Sequence, residues 1–315
     1  MVEDGKDLTG RNEVDDASET AKEEKESDKP SADTITCNQE VLQAYQNLWT
    51  SLLWPESSVL VQGMKNFLFH WKQNHFNNDD DDKPPSLTSA AKALNSYCKS
   101  TVDSILQSNR SLVGTNEESS NLRRSLESFV YGQARDTLKQ EIDKDMSIAK
   151  PQPTKSDNDH DDDHTFSKMT PKQLEDRLLE LQFVQPSHLE IACMQDATAD
   201  DGDGDDGLQE LLEEPIRALL SMDAYHSPYE KLEQILLAYQ GVNAALSTAL
   251  HKNKSEGAPS VLPSADDGLP TMILVCIKAR PRSLLQNLQF IEQFAAPEYL
   301  RGEAGYAYTN LYGAV

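Results

Sequence analysis

The sequence predicts an all-α fold, an N-terminal helical bundle followed by a second, layered helical region. Three observations carry this expectation. Apolar residues recur at three- and four-residue steps in segment after segment. Capping signatures open two of those segments, Thr170-Pro171-Lys172-Gln173 and Ser227-Pro228-Tyr229-Glu230. The one run that could be a buried strand, Thr271 to Ile277, has no second strand to pair with, and Pro270 suits the first position of a helix there. The expected organisation is a disordered acidic tail over residues 1–34, a helical bundle over 35–115 and the second helical region over 116–315, with acidic linkers between elements.

The elements follow in order. Residues 1–34 mix Asp, Glu, Lys, Ser and Gly with almost no large apolar side chains, so they cannot bury enough surface to offset the entropy of ordering. From Cys37 onward Val41, Leu42, Tyr45, Leu48, Trp49, Leu52 and Leu53 form one amphipathic run that Pro55 closes. Ser58 to Phe76 is a second, with Leu60, Met64, Phe67, Leu68 and Trp71 on one face. An acidic linker, Asn77 to Pro85, separates it from helices expected over Ala91 to Leu106 and Leu122 to Ile142. Lys150 to His164 is a second acidic linker and Asp196 to Gly207 a third acidic insert. Beyond them come Leu174 to Leu181, Leu208 to Met222, the run from Leu232 to Leu246, the apolar Thr271 to Ile277, and Leu284 to Phe294 between Pro281 and Pro297.

Composition narrows the function classes. The 315 residues carry a formal net charge of -24, which argues against nucleic acid or an anionic membrane as an electrostatic partner. The four cysteines, Cys37, Cys98, Cys193 and Cys276, lie far apart without a CxxC pair, so they spell neither a zinc cluster nor a disulfide framework and suit a reducing compartment. No apolar run approaches a bilayer span, and a cytoplasmic location is expected.

Several constellations fail on inspection. Asp201 to Gly207 resembles a calcium loop, yet no frame puts Asp at positions 1, 3 and 5, Gly at 6 and Glu at 12. Two histidines among the aspartates of Ser156 to His164 read as a solvated linker, and no metal is expected. Phosphate-cradling and nucleophile-elbow motifs are absent, so no cofactor is expected. His188, after Pro186 and Ser187, has no nucleophile or orienting partner in view and reads as a helix-start or surface histidine.

One segment carries a specific pattern. Ser264-Ala265-Asp266-Asp267-Gly268-Leu269-Pro270 is followed by an apolar helix, the step Lys278-Ala279-Arg280-Pro281, then Asn287, then Gly302-Glu303-Ala304-Gly305-Tyr306-Ala307-Tyr308-Thr309-Asn310. In composition and order this resembles the vacuolar-protein-sorting-nine domain of exchange factors for endosomal Rab GTPases. Pro228 to Leu232 with Ile235 is similar to a further family helix, and the resemblance extends over roughly Ser125 to Val315. The helices upstream are more weakly similar to the bundle that precedes the domain.

The resemblance implies that residues 116–315 form an exchange domain that speeds GDP release from an early-endosomal Rab GTPase, binding it most tightly when nucleotide-free. No covalent chemistry is then performed, and the protein is cytoplasmic and recruited to endosomes or vesicles. It implies catalytic roles for Asp266 and Tyr306, with Leu269, Pro270, Asn287, Thr309 and Asn310 binding the GTPase. An aspartate ahead of a helix is most often only an N-cap, and the match around Tyr306 is what lifts Asp266 above that reading. Gly268 and Ala307 depart from the family pattern, where bulkier residues are usual. The chain also ends at Val315 within an apolar helix that the family usually extends, so a fragment is expected. A Rab-binding adaptor without exchange activity is the alternative.

Overall fold

The computed structural model describes residues 58–76, 86–108, 116–148, 169–197, 204–252 and 265–315. The expected acidic tail, the run Val41 to Leu53 and the linkers Asn77 to Pro85 and Lys150 to His164 lie outside the described residues. Those that are described form ten α-helices, with no strand among them: α1 (Ser58–Phe76), α2 (Leu87–Ser108), α3 (Asn116–Ile148), α4 (Pro171–Glu180), α5 (Ala192–Ala197), α6 (Gly204–Ser221), α7 (Pro228–Lys252), α8 (Ala265–Ala279), α9 (Leu284–Phe294) and α10 (Gly302–Ala314). The all-α expectation holds, and the ambiguous Thr271 to Ile277 run is helix.

Both capping boxes form. The Thr170 hydroxyl accepts from the Gln173 amide at 3.3 Å, and the Gln173 side chain accepts from the Thr170 amide at 2.8 Å. Ser227 and Glu230 repeat the exchange at 3.1 and 3.0 Å ahead of α7. Each pair satisfies amides that a helix start leaves without an internal partner. His188 serves a similar end: its Nδ1 accepts from the Gln185 amide at 2.9 Å in the short 3-10 turn Pro186–Leu189.

Several helix ends differ from expectation. α2 and α3 run longer than their apolar periodicity, because polar flanking turns continue a helix once its centre is packed. Pro270 is not the first residue of α8 but lies inside it, since Ala265, Asp266 and Asp267 already form the first turn. The two acids suit the positive end of the helix dipole, which favours an earlier start. At its other end, α8 stops where Arg280 adopts the left-handed conformation (φ 47°), its amide bonded to the Cys276 carbonyl at 3.0 Å, and Pro281 bars continuation.

Two buried clusters organise these helices. One is enclosed by α1, α2 and α3, with Met64, Trp71, Leu94, Leu126, Tyr131 and Leu138. The other is built around α7, which touches α3, α5, α6, α8, α9 and α10. The short helix α9 belongs to both: Leu284, Leu285, Leu288 and Ile291 face the second cluster, while Phe290 and Phe294 enter the first. Tyr131 meets Phe290 and Phe294 edge-on, at centroid distances of 5.8 and 6.2 Å. The last carbonyls of a helix have no internal donor, and here the Phe294 carbonyl accepts from Asn95 Nδ2 at 3.1 Å and Tyr131 Oη at 3.3 Å.

Truncating Phe294, fully enclosed at this junction, removes a large buried ring and leaves a cavity. Phe294→Ala is expected to destabilise the protein by about 3 to 5 kcal/mol in urea unfolding.

Candidate functional site

The sequence pattern is divided between the starts and faces of α8, α9 and α10. Asp266 is exposed in the first turn of α8. Thr271 turns its hydroxyl back to the Asp267 carbonyl at 2.7 Å, and Pro270 has no amide hydrogen to offer the Asp266 carbonyl. Leu269 is 40% exposed and packs toward the end of α10, where a Cβ on Gly313 would stand 3.9 Å from its Cδ1. α8 and α10 are thus neighbours, although α9 lies between them in sequence.

α10 is set by a backbone contact. A Cβ at Gly305 would fall 2.2 Å from the Leu300 carbonyl oxygen, so only glycine lets the preceding turn fold this closely onto the helix. Gly302 opens the helix with φ 65°. Ala307 and Leu311 are enclosed in the core, and the Tyr308 hydroxyl donates to the Leu288 carbonyl at 3.2 Å. Anchored on that side, α10 holds Tyr306 outward at 55% exposure. Its ring meets Tyr239 of α7 edge-on at 5.5 Å, a favoured aromatic geometry. Gln240 Nε2 donates to Glu303 at 3.2 Å and ties the same two helices. Thr309 is exposed, its hydroxyl bonded to the Gly305 carbonyl at 2.9 Å, and Asn310 is half-buried.

Asp266, Leu269, Pro270, Tyr306, Thr309 and Asn310 therefore belong to two adjacent helices. Asn287 does not join their exposed faces. Only 6% exposed on α9, it donates from Nδ2 to Asp223 at 2.8 Å and accepts at Oδ1 from Lys231 Nζ at 2.9 Å. Lys231 Nζ also donates to the Met222 carbonyl at 2.7 Å. Burial lowers the Lys231 ammonium to about 8, with Asp223 pulling the other way. Gly268 has open space around it, and an added Cβ would meet nothing within 4 Å.

Tyr239 is absent from the sequence-based site. Its spacing within the run of α7 marks it as one more apolar position, and only the tertiary fold sets its ring against Tyr306. A second element hidden from sequence is the support behind α10. Glu127 of α3 is buried, and its carboxylate accepts from Arg123 Nε at 2.8 Å and from Tyr299 Oη at 3.0 and 3.1 Å. Arg123 also pairs with Glu298 at 2.8 Å. Arg124 lies over the Tyr229 ring at 4.2 Å, and Tyr229 meets Tyr299 edge-on at 4.9 Å. α3, α7 and the turn before α10 are clamped together by this cluster. Burial pushes the Glu127 carboxyl up, against the opposing pull of Arg123 and Tyr299.

These features define an all-helical domain that presents an acid and a tyrosine from neighbouring, firmly backed helices. Residues 212–315 match the family model of the vacuolar sorting protein 9 (VPS9) domain. Similar curated proteins include "Receptor-mediated endocytosis protein 6" of Caenorhabditis briggsae, 37% identical over 100 residues, 31% of this chain and 8% of that protein. A human "Rab5 GDP/GTP exchange factor" is 30% identical over 143 residues, 45% of this chain and 26% of that protein. "Vacuolar protein sorting-associated protein 9A" of Arabidopsis thaliana is 35% identical over 98 residues, 31% of this chain and 18% of that protein. The match spans about a quarter or less of each of these three relatives. No helix among the described residues is long and apolar enough to cross a membrane.

Removing Arg123 leaves the enclosed Glu127 charge with poorer compensation. Arg123→Ala is expected to cost about 3 kcal/mol at pH 7. Without the guanidinium the Glu127 carboxyl rises further, and a carboxyl raised on folding favours the folded state at low pH and loses that advantage as pH climbs through its folded value. The cost measured by urea unfolding should therefore be smaller at pH 5 than at pH 7.

Proposed function

We propose that this protein is a guanine-nucleotide exchange factor that accelerates GDP release from a Rab-family small GTPase of the early-endosomal branch. The observation that carries the reading is the exposure of Asp266 and Tyr306 on adjacent helices within the VPS9 segment. The printed names of similar proteins, including a Rab5 GDP/GTP exchange factor, support it.

A GTPase holds its nucleotide through magnesium, a P-loop lysine and backbone amides around the phosphates, so release must break charge-assisted contacts. In the proposed mechanism the Asp266 carboxylate enters that site, pairs with the lysine that the β-phosphate gives up and disfavours the metal-phosphate arrangement. Tyr306, backed by Tyr239, docks on the switch region. Leu269, Pro270, Thr309 and Asn310 complete the contact, and Asn287 supports it from beneath by fixing α9 against α7. We set the start of the exchange unit at residue 116, ahead of α3, because α3 clamps both α9 and the turn before α10. No bond is made or broken in either protein. Linkage requires that whatever weakens nucleotide binding be weakened by nucleotide in return, so the tight complex is with the nucleotide-free GTPase. Such work fits a cytoplasmic protein recruited to endosomes or transport vesicles.

The test is release of fluorescent GDP from a panel of endosomal Rab GTPases by the full chain. Asp266→Ala is expected to lower the acceleration by about a hundredfold, the scale on which loss of one well-aimed electrostatic group is felt, while unfolding stays unchanged. Tyr306→Ala should weaken binding of the nucleotide-free GTPase. A folded chain that binds the GTPase without accelerating release, and that Asp266→Ala leaves unaltered, would make it an adaptor instead.

A further inference from the structure

A cavity of about 280 Å³ lies away from the Asp266 and Tyr306 surface, between α3 on one side and α9 with the Asp223 to His226 turn on the other. Its charge is opposite to that of the chain. Arg135 and Lys139 line it from α3, Lys231 from α7 and His226 from the turn, against the single acid Asp223, which already accepts from Asn287. In a protein of net charge -24 this is a local concentration of cationic and hydrogen-bond-donating groups.

Polar groups within it are also incompletely used. The Nδ1 of His226 and the Oε1 of Gln286 are buried without a hydrogen-bond partner. Buried polar groups are ordinarily paired; carrying its hydrogen, the His226 Nδ1 calls for an acceptor, whereas the Gln286 Oε1 calls for a donor such as water. Lys231 Nζ spends two of its three hydrogens on the Met222 carbonyl and Asn287, which leaves a third. The His226 ring is held against α3 by close approach to Gly132, where a Cβ would stand 3.3 Å from His226 Cδ2. The remaining wall is apolar, from Leu138, Ile142 and Phe290.

We propose that this cavity binds a small soluble organic anion, a phosphate or carboxylate group carried on an apolar or aromatic body. The anionic group is held by Lys231, His226, Arg135 and Lys139. The body lies on Leu138, Ile142 and Phe290. Bound there, the ligand bridges α3 and α9 and stiffens the junction of the two cores. This assignment does not depend on nucleotide exchange.

The lowered affinity of Lys231 for its proton sets a pH dependence. Asp223 and Glu230 face it as acids, Arg135 as a base, with Lys139 and His226 lining the same cavity. A bound anion favours the charged ammonium, so binding takes up a proton above about pH 8, the value of Lys231 before the anion binds, and weakens as pH rises from there.

The test is calorimetric titration of the full chain with phenyl phosphate, 4-ethylbenzoate and inorganic phosphate. Saturable binding of phenyl phosphate or 4-ethylbenzoate is expected, tighter than that of inorganic phosphate, with a rise in melting temperature. Loss of one charge-assisted contact should weaken binding by about tenfold or more in Lys231→Met, and that variant should lose the fall in affinity above pH 8. Because Lys231 is enclosed, the double variant Arg135→Gln with Lys139→Gln, both at exposed positions, gives an independent arm in which binding weakens and stability is unchanged. Failure of both organic anions to bind, or binding that the double variant leaves intact, would overturn the proposal and leave a water-filled cavity.

Discussion

The end of α9 is the point on which the two cores depend. A short helix cannot bury two faces unless both neighbours are built to receive it, and its last carbonyls need donors from outside. Tyr131 does both jobs at once, lending its ring to Phe290 and Phe294 and its hydroxyl to the Phe294 carbonyl. Asn95 supplies a second donor from α2. The aromatic packing and the carbonyl cap are therefore not separable: moving the ring away would strand a polar group in an apolar place. That coupling fixes the angle at which the α1 to α3 bundle meets the α7-centred core.

Buried charge reinforces the same junction in two places. Glu127 is enclosed among Arg123, Tyr299 and the Arg124–Tyr229 pair, and Lys231 among Asn287 and the Met222 carbonyl. Ion pairs in a core add little net stability over apolar side chains of equal size, but a charge left without its partner is costly. Such groups act as registration pins. They penalise every arrangement of α3, α7 and α9 but one, and the turn before α10 inherits its position from that arrangement.

Local signals were legible in the sequence wherever the physics was local. The boxes at Thr170 and Ser227 required only a hydroxyl and an amide or acid three residues on, and both formed. The periodicity of Ser58 to Phe76 reproduced the bounds of α1. The apolar Thr271 to Ile277 run could be assigned to helix only from the absence of a pairing partner and from Pro270, which lies inside the helix rather than at its first position. Polar relations across the fold were not legible. Nothing in the spacing of Lys231 and Asn287 announces that they meet, nor that Glu127 is enclosed against Arg123 and Tyr299. Tyr239 looked like any other apolar position until α10 was laid beside it. Gly305 belonged to a recognisable motif, yet its reason, a carbonyl oxygen lying where a side chain would be, is visible only in three dimensions.

Pro270 has a mechanical consequence. A helix transmits force along its ladder of hydrogen bonds, and a proline at the sixth position removes the rung that would join its own turn to Asp266. The first turn of α8 is therefore joined to the rest of the helix by a weakened ladder, while the turns beyond it are locked in the core by Met272, Leu274, Val275 and Cys276. The helix behaves as a rigid shaft with a compliant tip. An acid carried on such a tip can be reoriented over a short distance without disturbing the packing behind it.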